Sequence, residues 1–134
     1  MSELRNKILI AEDDLMLLNI VTEKLVKEGF EVIQAKDGTE ALHKALAQSP
    51  DLILLDILMP KMDGVTMLKK LREEKKFVAT PVILLTNVTY GPQIDEAIKH
   101  GVQDFMIKTN WKLDDVVEKI KQKLALNHFG TNKL

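Results

Sequence analysis

Cysteine is absent from the 134-residue chain, which excludes a disulfide framework and any metal site or nucleophile built on a thiolate. An excess of one charge sign is also absent, because 19 Lys and Arg residues face 20 Asp and Glu residues for a net charge of -1. This balance argues against nucleic-acid binding that depends on overall basicity. The length fits one domain.

Long apolar stretches are missing too. The amino terminus, MSELRNK, is charged and lacks the apolar segment of a signal peptide. The longest hydrophobic run is interrupted by Asp56 well short of the length of a membrane span. We therefore expect a soluble, cytoplasmic protein without a membrane partner.

Five short apolar runs are present instead, and they alternate with stretches of helical spacing. The runs predict strands at 7–12, 31–35, 52–56, 81–86 and 104–108. Near-continuous apolarity is typical of strands that are buried on both faces of a parallel sheet. Apolar residues three and four apart predict helices at 14–28, 38–48, 65–75, 92–100 and 112–126. Five alternations of strand and helix predict an α/β fold with helices on both faces of the sheet.

The ends of the predicted helices carry further signals. Asp14, Asp37 and Asp63 occupy positions that favour helix N-caps. The lysines of EKIKQKL at 118–124 are interpreted as a solvated face, and NHFGTNKL at 127–134 as a frayed tail. Together with the chain length, the five strand–helix units predict a single domain over 1–134, with its core at about 6–126.

Most of the predicted strands end on a polar residue of a specific kind. The first ends on Glu12 and Asp13, the third on Asp56, the fourth on Thr86 and the fifth on Lys108. The carboxyl ends of parallel strands gather along one edge, where open α/β sheets bind their ligands. Alternation alone does not give the strand order, but in the flavodoxin-like order 2-1-3-4-5 the three acids converge.

Three carboxylates held close together repel one another, so that either some take up a proton or a cation lies among them. Oxygen ligands without His or Cys suit Mg²⁺. Asp56 has a second possible use, as a carboxylate nucleophile that forms an aspartyl phosphate. Phosphoryl transfer requires charge neutralisation on the transferred oxygens. Mg²⁺, the ammonium of Lys108 and the hydroxyl of Thr86 are the candidates to supply it.

Four stretches resemble successive signatures of the receiver (CheY-like) domain of two-component response regulators: ILIAEDD, DLILLDILMPKMDG, PVILLT and AIKHGVQDFMIK. The likeness covers roughly residues 6 to 126. It implies a three-layer, flavodoxin-like (βα)5 fold with a five-stranded parallel sheet in the order 2-1-3-4-5. It also implies a bacterial-type signalling switch, whose only catalysis is Mg²⁺-dependent phosphorylation of itself from phosphodonors and its own dephosphorylation.

The resemblance assigns a role to each polar strand end. Asp56 matches the phosphoacceptor, which takes its phosphoryl group from a histidine kinase or a histidine phosphotransfer protein. Glu12 and Asp13 match the acidic pair that holds Mg²⁺ together with Asp56. Thr86 matches the switch hydroxyl, and Lys108 the phosphate-contacting lysine. A downstream protein is expected to dock on the face made by the fourth helix, fifth strand and fifth helix.

Two further matches and two departures complete the resemblance. Phe105 matches the aromatic residue whose rotamer tracks phosphorylation, and the backbone carbonyl of Leu58 matches a further metal ligand. Thr109 stands where the family usually has proline, which bears on the loop before the last helix. Asn87 replaces a residue that is commonly small, which bears on access to the acyl phosphate.

Two other classes of protein remain open on the residues alone. A haloacid dehalogenase-type phosphatase also uses an aspartate nucleophile, but it needs a second Asp two residues later, where this chain has Leu58. A flavodoxin-like cofactor binder needs a phosphate-cradling loop after the first strand, where this chain has AEDDLML. Because the chain ends soon after the fifth helix, we expect no direct nucleic-acid partner. The chain is then either a single-domain regulator or a receiver from a larger regulator or hybrid kinase.

Overall fold

A computed structural model describes residues 5–102 and 104–132, with side chains to residue 125. The elements in chain order are β1 (Lys7–Ala11), α1 (Leu15–Lys27), β2 (Glu31–Ala35), α2 (Gly38–Gln48), β3 (Leu52–Leu55), α3 (Gly64–Arg72), a 3₁₀ turn (Lys75–Phe77), β4 (Val82–Thr86), α4 (Pro92–Lys99), β5 (Asp104–Ile107) and α5 (Leu113–Asn132). The sheet has the order β2-β1-β3-β4-β5, and every neighbouring pair is parallel. The predicted fold class and strand order are confirmed.

The sheet separates two apolar cores, because successive side chains of a strand point to opposite faces. Leu9 and Ile53 belong to the core shared with α2, α3 and α4, whereas Ile8 and Leu52 belong to the core shared with α1 and α5. All four of these side chains are fully buried. Both faces are therefore covered, and the strand ends are where the fold can carry polar groups.

Three of the helices begin at acidic caps, as predicted. The carboxylates of Asp14, Asp37 and Asp63 accept hydrogen bonds from backbone N–H groups in the first turns of α1, α2 and α3, at 2.8 to 3.3 Å. Such caps satisfy N–H groups that have no partner within the helix. They also fix where each loop from the carboxyl edge of the sheet enters its helix.

The third helix is shorter than predicted. α3 ends at Arg72 and not at residue 75, and a 3₁₀ turn follows it. The Arg72 guanidinium donates to the carbonyls of Phe77 and Thr80 at 2.6 and 2.8 Å. These hydrogen bonds fold the segment that leads to β4 back onto the end of α3.

The last helix is longer than predicted. α5 runs to Asn132 and not to residue 126, so that the tail expected over 127–134 is helical through 132. Each added residue gains one backbone hydrogen bond once a helix has formed. Residues 1–4, 103, 133 and 134 of the expected domain lie outside the described residues. Within the described ranges, no helix has both the length and the apolar character to cross a membrane.

Candidate functional site

The polar strand ends are held at the carboxyl edge of the sheet by backbone hydrogen bonds. Glu12, Asp56 and Lys108 each lie one residue beyond a strand, and each donates its N–H to a carbonyl of the neighbouring strand at 3.0 to 3.1 Å. Thr86 is the last residue of β4 and supplies the carbonyl that accepts from Lys108. The edge is therefore built by the rigid sheet, which fixes the positions of these residues.

Four side chains meet there and form what we call the edge cluster: Glu12, Asp13, Asp56 and Lys108. One carboxylate oxygen from each of the three acids lies within 4.8 Å of the others. The Lys108 Nζ lies 2.7 Å from Asp56 Oδ2 and 2.7 Å from Glu12 Oε1. With every group ionised, three carboxylates against one ammonium leave the cluster anionic.

The cluster is closed on one side and open on the other. Glu12 is 2% exposed and Asp56 is 5% exposed, whereas Asp13 is exposed. Each buried carboxylate uses one oxygen to accept a backbone hydrogen bond, Glu12 from Asp14 at 2.9 Å and Asp56 from Ile57 at 2.7 Å. Their other oxygens face Lys108, so that an incoming group meets the site from the side of Asp13.

The electrostatics reflect this burial. Burial raises the pKa of Glu12 above its usual value, and the hydrogen bond from Lys108 only partly offsets the effect. Burial alone would lower the pKa of Lys108, but hydrogen bonds to Asp56 and Glu12 raise it above its usual value. Lys108 is thus held as an ammonium between two carboxylates. A carboxylate cluster of this kind is consistent with the Mg²⁺ site of a receiver domain.

The remaining predicted site residues are Thr86, Phe105 and Leu58. Thr86 is fully buried, and its hydroxyl accepts a hydrogen bond from the backbone N–H of Val88 at 3.1 Å. Phe105 lies on the edge strand β5 and is 40% exposed. Leu58 is 58% exposed in the loop between β3 and α3. The structure thus brings four of the predicted residues into one cluster, in which Lys108 contacts Glu12 and Asp56, and the other three are not members of it.

A second charged group was missed at the sequence level, and we call it the flank cluster: Asp104, Lys119 and Lys123. The Asp104 carboxylate lies 3.0 Å from Lys119 Nζ and 3.5 Å from Lys123 Nζ. The prediction of a solvated lysine face is therefore wrong for these two residues, whose side chains are 31% and 17% exposed. Asp104 begins β5, and only the packing of α5 beside β5 brings the charges together.

Comparison with known proteins identifies the class. The model of the family described as "Response regulator receiver domain" matches residues 8–121. The chemotaxis protein CheY of Bacillus subtilis is 34% identical over 120 residues, which are 89% of this chain and 98% of CheY. A CheY-like receiver domain structure from Methanospirillum hungatei superposes with a TM-score of 0.87 at 28% identity, covering 94% of this chain and 98% of that chain. The chain therefore belongs to the receiver domain family of two-component response regulators.

Other relatives are longer proteins. An Archaeoglobus fulgidus protein-glutamate methylesterase/protein-glutamine glutaminase is 41% identical over 113 residues, which are 82% of this chain but 32% of the relative. The transcriptional regulatory protein PhoP of Bacillus subtilis is 36% identical over 78% of this chain and 43% of its own length. The chain thus spans a third to less than half of these two relatives. Members of the family are signalling switches that interact with histidine kinases and downstream effectors.

Proposed function

We propose that Asp56 accepts a phosphoryl group from a phosphohistidine of a histidine kinase or a phosphotransfer protein. The observation that carries this proposal is the edge cluster itself. Asp56 directly follows the central strand, and one of its carboxylate oxygens lies 2.7 Å from the Lys108 ammonium, beside two further carboxylates. The family membership supplies the reaction class.

Glu12, Asp13 and Asp56, with the backbone carbonyl of Leu58, are the proposed ligands of Mg²⁺. The donor set fits, because the cluster is anionic and all its ligand atoms are oxygens. When bound, the ion would neutralise charge on the transferred oxygens. Asp13 is exposed, so that it is the carboxylate an ion would reach first.

In the proposed reaction, an Asp56 carboxylate oxygen attacks phosphorus in line with the phosphohistidine nitrogen. The new O–P bond forms as the N–P bond breaks, and the leaving imidazole keeps the electron pair and takes up a proton. Lys108 would stabilise the negative charge that the phosphoryl oxygens bring, as an ammonium held beside Asp56 can. Transfer to water would reverse the modification, so that the domain acts as a switch and not as a metabolic enzyme.

The switch itself is proposed to run from Thr86 to the face of α4, β5 and α5. The Thr86 hydroxyl already bonds Val88 in the loop that leads to α4, so that a change of its partner would alter that loop. The apolar side chains of Tyr90, Ile98 and Phe105 are 84%, 54% and 40% exposed in this region. A ligand that contacts two conformations differently shifts their populations, and a downstream protein would read the shift at this face.

The test is direct. The protein is incubated with acetyl phosphate, with and without Mg²⁺, and an added phosphoryl group is sought by intact mass. We expect an adduct that depends on Mg²⁺ and is absent from Asp56→Asn. Asp63→Asn is a matched control, because Asn caps a helix as well as Asp, and it should label normally. An adduct that persists in Asp56→Asn would contradict the assignment.

The two departures from the family pattern bear on lifetime and not on the reaction class. The peptide bonds among the described residues include no cis bond, so that Lys108–Thr109 is trans. Asn87 is exposed directly after Thr86. We propose that the Asn87 side chain screens the acyl phosphate from water, and we expect Asn87→Ala to lose its adduct faster once the donor is removed.

The family membership decides against the phosphatase and the cofactor binder as alternatives. We further propose that the domain acts either alone or within a longer regulator or hybrid kinase. CheY, which is matched over 98% of its length, supports the first arrangement. The methylesterase, which is matched over 32% of its length, supports the second.

A further inference from the structure

The loop between β3 and α3, residues 57–63, holds an unusual conformation next to the site. The N–H of Met62 donates to the carbonyl of Pro60 at 2.7 Å, and Lys61 between them has a φ of 68°. This is a three-residue γ-turn, a strained form for a residue other than glycine. Strain of this kind persists only where the surrounding structure imposes it.

Gly64 fixes the conformation at one end of the loop. Its N–H donates to the carbonyl of Ile57 at 2.8 Å, which closes the loop at its base. A Cβ at Gly64 would overlap the backbone carbonyl oxygen of Asp56. Gly64 is therefore the residue that lets α3 begin directly against the phosphoacceptor.

The other side of the loop rests on the first turn of α2. A Cβ at Gly38 would overlap the carbonyl oxygen of Met62, and would lie 2.6 Å from its carbonyl carbon and 2.9 Å from its Cβ. Two of these contacts are to backbone, which cannot rotate away as a side chain does. Lys61 Nζ also lies 3.8 Å from Asp37 Oδ2, beside Gly38.

We propose that Gly38 is a positioning residue: its missing side chain lets the 57–63 loop pack on α2 and so sets the place of the Leu58 carbonyl. This inference rests on the proposed Mg²⁺ site. Any side chain at position 38 pushes the loop outward, and a ligand set that includes a loop carbonyl then loses its geometry. The charges of the edge cluster stay unchanged.

The test compares two glycine variants of the whole chain, Gly38→Ala and Gly29→Ala. Gly29 is the control position, because an added Cβ there meets nothing within 4 Å. Alanine at its φ of 96° is strained, a cost that Gly38→Ala does not carry, so that Gly29→Ala reports a destabilised backbone without a collision at the loop. Mg²⁺ binding is measured by isothermal titration calorimetry, and the backbone amide shifts of residues 57–63 by NMR.

We expect Gly38→Ala to bind Mg²⁺ about tenfold more weakly, the range in which groups that orient metal ligands act, and Gly29→Ala to bind within about twofold of the wild type. The loop amides should shift in Gly38→Ala only. Equal affinities in a folded Gly38→Ala and the wild type would overturn the positioning role alone. A wild type that binds no Mg²⁺ would instead remove the proposed metal site.

If Gly38→Ala does not fold, the double variant Gly38→Ala with Lys61→Gly takes its place. Glycine at position 61 adopts the positive φ freely, so that the loop can retreat from the new methyl group. We expect this double variant to fold and to bind Mg²⁺ more weakly than Lys61→Gly alone. Equal affinity in these two variants would overturn the inference.

Discussion

The edge cluster and the flank cluster use the same chemistry in opposite proportions. The edge cluster has three carboxylates and one lysine, and its Lys108 lies 2.7 Å from two acids. The flank cluster has one carboxylate, Asp104, between two lysines at 3.0 and 3.5 Å. The edge cluster is therefore short of positive charge, whereas the flank cluster has more positive charge than its one carboxylate can neutralise.

The pKa directions express this difference. Burial raises the pKa of Glu12 despite the nearby ammonium. Burial would also raise the pKa of Asp104, but the hydrogen bond from Lys119 and the charges of Lys119 and Lys123 lower it below its usual value. A carboxylate whose charge is neutralised by nearby lysines serves structure, whereas a cluster with excess carboxylates leaves a site that a cation can complete. Substitutions at either cluster can test this difference.

The largest effect is expected from Lys108→Met against Lys119→Met. Lys108→Met leaves two buried carboxylates without their cation, and we expect the free energy of unfolding to fall by about 3 kcal/mol in EDTA. Lys119→Met leaves Asp104 with Lys123, and we expect a loss below about 1 kcal/mol. Urea denaturation measures both, and equal losses would contradict the distinction between the clusters. Added Mg²⁺ should narrow the difference in stability between Lys108→Met and the wild type, whereas the difference between Lys119→Met and the wild type should stay unchanged.

The two clusters also differ in how far the sequence predicts them. The edge cluster was predictable, because parallel strands end together and Glu12, Asp56 and Lys108 each end an apolar run. The strand order that brings them into contact came from the family resemblance, since alternation of elements does not specify neighbours. The flank cluster was not predictable, because no local pattern links Asp104 to two lysines of the next helix.

The same limit applies to the fold. Strand positions follow from apolar runs and agree with the structure to within one residue at each end. The end of α3 depends on hydrogen bonds from Arg72 to carbonyls beyond the helix, and the periodicity of the helix does not contain them. The packing of the 57–63 loop against Gly38 is likewise a contact between separate elements, so that the periodicity of neither element contains it.

Stabilisation by Mg²⁺ also distinguishes the two clusters, and the expected effect on the free energy of unfolding is somewhat smaller. At about a hundred times its dissociation constant, a ligand that binds only the folded state adds about 2.7 kcal/mol to the free energy of unfolding. We expect this gain in the wild type and in Asp104→Asn. Asp13→Asn should lose most of the gain, because it removes the exposed member of the proposed ligand set while the pairs of Lys108 with Glu12 and Asp56 remain. Urea denaturation at fixed Mg²⁺ concentration is the measurement, and a full gain in Asp13→Asn would remove Asp13 from the ligand set.

The smallest effect concerns the pH dependence of the flank cluster. The pKa of Asp104 is lower in the folded protein than its usual value of 3.8, so that the folded state binds fewer protons there than the unfolded state. The contribution of Asp104 to stability is therefore present above that usual value and is lost as pH falls through the folded pKa. At pH 7 we expect Asp104→Asn to be less stable than the wild type by below about 1 kcal/mol, since the pair is partly exposed. The difference, from urea denaturation at a series of pH values, should shrink below about pH 4. The double variant Lys119→Met with Lys123→Met should abolish this trend, and a difference that grows in acid would contradict the pairing.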